Sequence, residues 1–182
     1  MIHLTHLDLK EVCVLNYDTK EDNRGIGYRL FSKRQLEEVG IYTEFVEEIL
    51  NCPSKKGTLY GIHFQNHPRA QNKLLFCIKG RGLDFAVDLR RNSATYKKWV
   101  SVELSAQNRN QIYIPAGFGH AFLSLEDDTQ VVMQIDNYFD AALSRTVTYA
   151  DRDLNIAFNI LKPILSEGDK NTPTLMNSDC NL

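Results

Sequence analysis

Leu74-Leu-Phe-Cys-Ile-Lys-Gly-Arg-Gly-Leu-Asp-Phe-Ala-Val-Asp-Leu89 is the stretch that decides the fold. Its first five residues are all apolar, Lys79-Gly-Arg-Gly82 interrupts them, and an extended run resumes from Leu83 to Leu89. Apolar runs this short fit strands better than helices, and glycine supplies the turn conformations between them, so the segment predicts a β-hairpin. Downstream, Val100, Val102 and Leu104 alternate with Ser101 and Glu103, the period of a strand with one buried and one solvated face. Gln111–Pro115 and Ala121–Leu125 read as strands around the loop Ala116-Gly-Phe-Gly119, and the polar turn Glu126–Thr129 leads into a strand from Gln130 to Ile135. One early helix is predicted. Ser32 caps it, Gln35 completes the capping box, and Gly40 stops it. Short helical pieces are expected between Asp153 and Leu165. The pattern as a whole predicts an all-β sandwich or barrel with a few short helices.

The chain has 182 residues, 43% hydrophobic and 24% charged, which suits one domain spanning 1–182 with a real core. A formal net charge of -2 argues against nucleic acid or an anionic membrane as partner. The first ten residues lack the basic start and apolar core of a signal peptide, and no apolar run approaches the roughly 20 residues that span a bilayer. Cys13, Cys52, Cys77 and Cys180 are scattered without a CxxC pair, so reduced thiols and a cytoplasmic location are expected.

The chemistry-bearing residues cluster around Gly57-Thr-Leu-Tyr-Gly-Ile-His-Phe-Gln65. At period two, His63 and Gln65 share a strand face, and Lys73 follows ten positions after the imidazole. An imidazole and a fixed cation can together remove a proton beside a ketone and hold the resulting oxyanion. Asp169 offers a carboxylate that could orient the imidazole. Against this, a lone strand histidine is more often a core or surface residue, Lys73 alone reads as a solvated strand end, and Asp169 alone is an ordinary loop acid. His120 follows a glycine-flanked loop that could open a barrel mouth. His3, His6 and His67 are assigned no role, and Arg90-Arg91 reads as a solvated turn rather than a phosphate site. A metal site is disfavoured: metal-binding cupins present two histidines one residue apart, and here Gln65 takes the second place.

Taken together, Asn23-Arg-Gly25, Leu59–Gln65, Ala70-Gln-Asn-Lys73, Phe85–Arg90, Ser93-Ala-Thr95, Trp99–Ala106, Ile114–His120, Asp136-Asn-Tyr138 and Asp151–Ile156 resemble the dTDP-4-dehydrorhamnose 3,5-epimerase family over nearly the whole chain. The resemblance implies a cupin-type jelly roll and cofactor-free epimerisation of a nucleotide-linked 4-keto-6-deoxy hexose, in deoxysugar biosynthesis for surface polysaccharide. It also implies a homodimer whose N-terminal strands cross to the partner. His63 matches the family base, Asp169 its acid partner and Lys73 the cation at the enolate oxygen. Arg24, Gln65, His120 and Tyr138 match substrate-contacting positions. The chain also departs from the family. Its proton-donating tyrosine falls on Met133, and an arginine falls on Tyr60, which becomes the candidate for the missing hydroxyl. Positions that read thymine carry Arg29 and Glu48, and an asparagine falls on Leu50 beside Asn51. From these departures follow two expectations: inversion at C3 alone, and a nucleotide other than dTDP, with CDP first because Glu48 can accept from the amine of cytosine. A 3,4-ketoisomerase and a non-catalytic sugar-nucleotide-binding protein are the alternatives.

Overall fold

The computed structural model describes residues 1–182. Thirteen strands carry most of the regular structure. In the first part of the chain they are β1 (Ile2–His6), β2 (Cys13–Tyr17), β3 (Thr19–Asp22), β4 (Gly25–Tyr28), β5 (Glu47–Asn51), β6 (Leu59–Gln65) and β7 (Lys73–Lys79). β8 (Arg81–Asp88), β9 (Trp99–Ser105), β10 (Gln111–Ile114), β11 (Phe118–Ser124), β12 (Gln130–Ile135) and β13 (Ser144–Thr146) follow. The helices are short: α1 (Lys33–Glu38) and α2 (Glu167–Lys170), with a 3-10 turn at Leu175–Asn177.

Two sheets face each other. One has six strands in the order β1-β2-β10-β7-β12-β5, the other five in the order β13-β6-β11-β8-β9, and β3 and β4 form a separate ribbon. Leu75, Cys77, Ile112, Ile114 and Val131 from the first sheet pack against Ala86, Leu104, Phe118 and Phe122 from the second. This is the all-β jelly-roll sandwich that the alternating runs call for. A second apolar layer lies behind the five-stranded sheet, where Val147, Leu154, Phe158 and Leu175 cover Leu59, Ile62, Phe64 and Phe85. That layer draws the C-terminal segment back across β6. A third lies outside the six-stranded sheet, where Leu36 and Ile41 cover Leu15, Tyr17 and Leu74.

α1 begins as expected, with the Ser32 hydroxyl accepting from the Gln35 amide at 3.4 Å. The stretch from Leu74 to Leu89 is strand as expected but is not a hairpin: β7 and β8 lie in different sheets. Gly80, at φ +67°, turns the chain across the sandwich, and a side chain there would meet Thr129 Oγ1 at 2.7 Å. Two largely apolar strands each satisfy a buried position, so their pattern does not name the neighbour. Phe118 and Gly119, expected in a loop, open β11, and His120 sits within that strand. No helix forms from Asp153 to Leu165; the segment is irregular and bridges back through Ile164 to Thr58. All four cysteines are free. No helix is long and apolar enough to cross a membrane.

Candidate active site

The site begins with an irregularity in β6. His120 pairs with His63, and two residues later Phe122 pairs with Tyr60, so β6 carries an extra residue opposite β11. This β-bulge shifts the alternation, and Tyr60 and His63, three apart, come to share the inner face. Gly61 makes the bulge possible. Its φ is +98°, and a Cβ there would run into the His120 carbonyl and lie 2.9 Å from the His63 amide nitrogen. Gly61→Ala is therefore expected to destabilise the protein by about 2–4 kcal/mol, from the left-handed backbone and the clash together. Denaturant unfolding checks this, and an unchanged midpoint would contradict it.

His63 Nε2 lies 2.7 Å from Asp169 Oδ1, joining β6 to α2 across 106 positions of sequence. The Asp169 side chain is 7% exposed and that of His63 37% exposed, so the acid is shielded while the imidazole keeps an accessible edge. Ser166 caps α2 and accepts from the Asp169 amide at 3.1 Å. Burial pushes the Asp169 carboxyl up, but hydrogen bonds from His63, Ser166 and the Gly61 amide outweigh it and hold the acid below its ordinary pKa. An ionised carboxylate accepts only, so Nε2 carries the hydrogen and Nδ1 is left with a free lone pair.

Lys73 is 4% exposed. Its Nζ donates to Gln71 Oε1 at 3.0 Å, and Gln71 in turn donates to the Asn137 carbonyl at 2.9 Å. Burial lowers the lysine pKa from 10.5 to about 8, although Asp84 and Asp136 pull it back up. Asp84 is an acid that the sequence reading passed over. It is fully buried, one oxygen meets His120 Nε2 at 2.9 Å, and the other has no hydrogen-bond partner. Burial raises the Asp84 pKa, opposed by His120 and Lys73. The signal was two acids, Asp84 and Asp88, inside the mostly apolar run Leu83–Leu89, because a buried carboxylate is costly without partners.

The other expected residues divide. Gln65 is buried, with its amide nitrogen donating to the Arg69 and Tyr138 carbonyls and its oxygen accepting from the Asp140 amide, so it holds the loop after β12. Tyr138 on that loop is exposed. Asn51 pairs with Val131, a core residue, and so lies on the inner face of β5. Glu48, three residues earlier, lies on the opposite face: it pairs with Gln134, whose amide nitrogen donates to it at 2.6 Å. The carboxylate on the Asn51 face is Glu47, which accepts from the Phe139 amide at 2.7 Å. Glu48, expected to meet the nucleobase, therefore lies on the outer face of β5, away from the sheet that carries His63, and the physical reason is one residue of register. Arg24 and Arg29 sit on and just after the exposed ribbon. They line a separate concavity of about 650 Å³ that includes none of His63, Lys73 and Asp169.

The His63–Asp169 pair stands on the five-stranded sheet and the buried ammonium of Lys73 on the six-stranded sheet packed against it, and known proteins share the frame that holds them. The family model for dTDP-4-dehydrorhamnose 3,5-epimerase matches residues 6–177. The dTDP-4-dehydrorhamnose 3,5-epimerase of Shigella flexneri is 36% identical over 173 residues, covering 94% of this chain and 95% of its own. The chain belongs to the dTDP-4-dehydrorhamnose 3,5-epimerase family. A crystal structure of a Bacillus anthracis family member with TDP and PPi bound superposes with a TM-score of 0.93 at 33% identity, covering 96% of this chain and 99% of that one. ChmJ, a 3'-monoepimerase from Streptomyces bikiniensis, gives a TM-score of 0.86 at 31% identity, covering 94% and 87%, as a double mutant in complex with dTDP.

Within this epimerase frame the departures have definite places. Met133 lies on β12 between Leu75 and Ile49, half-buried against the core, on the six-stranded wall. Tyr60 packs against the same core from the five-stranded wall. Burial, with a smaller contribution from nearby Cys52, raises the Tyr60 pKa, so its phenol stays protonated.

Proposed function

We propose that this protein epimerises a 4-keto-6-deoxy hexose carried on a nucleoside diphosphate, inverting C3 alone. The carrying observation is the His63–Asp169 pair, 2.7 Å apart, on the wall facing buried Lys73. The C4 ketone acidifies the hydrogen at C3. His63 Nδ1 removes it, Asp169 stabilises the imidazolium, and Lys73 draws the enolate charge onto O4. Single-centre action rests on Met133, a thioether with no proton to give. ChmJ, a 3'-monoepimerase, carries a tyrosine as far from its histidine as Met133 stands from His63 here, so loss of that tyrosine is not what makes ChmJ act at one centre, and the proposal for this chain rests on Met133 itself.

The nucleotide of the substrate is dTDP in this proposal, in place of the CDP expected from Glu48. The case for cytosine rested on Glu48, whose carboxylate is engaged by Gln134 on the outer face. TDP and dTDP occupy the Bacillus anthracis and Streptomyces bikiniensis structures. Product analysis by NMR with dTDP- and CDP-4-keto-6-deoxyglucose tests both points. The C3 epimer of the dTDP sugar is expected. Preference for the CDP sugar would overturn the nucleotide assignment, and a 3-keto product would indicate an isomerase instead.

The working unit is a homodimer in this reading. β3 and β4 are exposed along almost their whole length, and Ile26, Leu30 and Phe31 leave apolar surface uncovered. A second copy that buried the ribbon would bring Arg24 and Arg29, both cationic, toward its own cavity and the diphosphate there. Mixing inactive Arg24→Ala with inactive His63→Asn subunits should then restore up to about a quarter of wild-type activity, since one mixed site combines an intact barrel with an intact ribbon. Failure to recover activity under conditions of subunit exchange would contradict the crossed arrangement.

A further inference from the structure

We infer that Lys73 is the proton donor in this protein, delivering hydrogen to C3 from the wall opposite His63. The inference rests on the epimerase reading above and names the group that reading leaves open.

Inversion requires that a proton leave one face of the carbon and arrive at the other. His63 projects from β6 in the five-stranded sheet, so the donor must stand on the six-stranded side. Met133 occupies that side and has no proton to donate. Tyr60 has one, but it rises from His63's own strand, where the bulge turns both side chains inward together. A proton from Tyr60 would return to the face it left. Lys73 starts β7 in the six-stranded sheet. It pairs there with Ile114 and Ile135 and shares its inner face with Leu75, beside Met133. Cys77 shares that inner face of β7, but burial pushes its thiol up to about 12, so Lys73 is the more acidic proton source next to the vacated tyrosine position.

Its surroundings fit the task. One N–H is taken by Gln71 Oε1, leaving two for the substrate. Burial has brought its pKa to about 8, so the ammonium parts with a proton more readily than a solvated lysine does. Asp84, buried and bonded to His120, faces it from the five-stranded sheet, and Asp136 adds a second negative charge nearby. These acids keep the lysine charged until substrate arrives. The step requires the ammonium to stand above the enolate plane beside O4, on the side away from His63, where C3 is also within its reach.

The step balances without a co-reactant. The C3–H bond breaks heterolytically, its electron pair enters the enolate and its proton goes to His63 Nδ1. The enolate then takes a proton from Lys73 Nζ, forming a new C3–H bond and leaving a neutral amine. After release, the imidazolium loses its proton to water and the amine regains one from water.

The test runs wild type, Lys73→Arg and Lys73→Arg/Met133→Tyr in heavy water with dTDP-4-keto-6-deoxyglucose, reading deuterium and configuration at C3 by NMR. Arginine keeps the charge but does not release a proton. The single variant should exchange C3 hydrogen with retention, while inversion relative to exchange falls about a hundredfold or more. Tyrosine at 133, on the same wall, should restore inversion. A single variant that inverts in the wild-type ratio to exchange overturns the inference. If the single variant neither exchanges nor inverts, the double variant decides: recovered inversion supports a donor role for Lys73, and no recovery overturns it. Wild type that shows no exchange at C3 sinks the epimerase reading itself, a different failure.

Discussion

Replacing His63 with asparagine is expected to lower turnover about a thousandfold while leaving nucleotide-sugar affinity within a few-fold. The size follows from the roles. Asparagine fills much of the same space and can still donate to Asp169, so the cavity keeps its shape, but an amide has no basic lone pair. The shorter amide reaches buried Asp169 less well than the imidazole does, and a small loss of stability should accompany the loss of rate. Steady-state kinetics alongside calorimetric titration of dTDP separates the two effects. A variant that kept more than a tenth of wild-type turnover would show that the proton is removed elsewhere, and His63 would then be a binding residue.

Lys73→Met is expected to do two opposite things: reduce turnover by roughly a hundredfold or more, and make the folded protein more stable. In the folded state the lysine pKa falls from 10.5 to about 8, so the unfolded chain holds the proton more tightly. Across that window the unfolded state binds more protons, and wild-type stability therefore rises as pH climbs from about 8 toward 10.5. Below it the buried ammonium is a net burden on the order of 3 kcal/mol, which methionine of similar length removes. For a chain of 182 residues that amounts to roughly 6–12 °C in Tm near neutral pH. The gain should vanish at high pH, where the wild-type lysine is already neutral. Scanning calorimetry at neutral and alkaline pH measures it. Equal melting temperatures at neutral pH would mean that Asp84 and Asp136 fully compensate the burial.

Much of this architecture is visible in the residues because strand alternation and turn chemistry are local. Val100, Val102 and Leu104 declare their face, and Ser32 with Gln35 declares a helix start. What local pattern does not carry is partnership. The runs either side of Gly80 are equally apolar, so nothing in them distinguishes a hairpin from a crossing between sheets. The bulge at Gly61 depends on how β6 meets β11, and a period-two reading puts Tyr60 on the wrong face. The same one-residue sensitivity exchanges Glu47 and Glu48 between inside and outside. The pairing of His63 with Asp169 spans 106 positions, so the residues could suggest it as one possibility and the family resemblance was needed to single it out. Asp84 was legible in principle, as an acid within a buried run, and its meaning emerges only once His120 and Lys73 are seen around it.

The account depends most on one event, removal of the hydrogen from C3 of the keto sugar by His63. A quenched time course in heavy water, with deuterium read separately at C3 and C5 for wild type and His63→Asn, observes it directly. Deuterium should enter C3 of the wild-type product, C5 should stay unlabelled over the same turnovers, and the variant should label neither. Labelling of C5 as fast as C3, or C3 labelling that survives loss of the imidazole, would contradict the account.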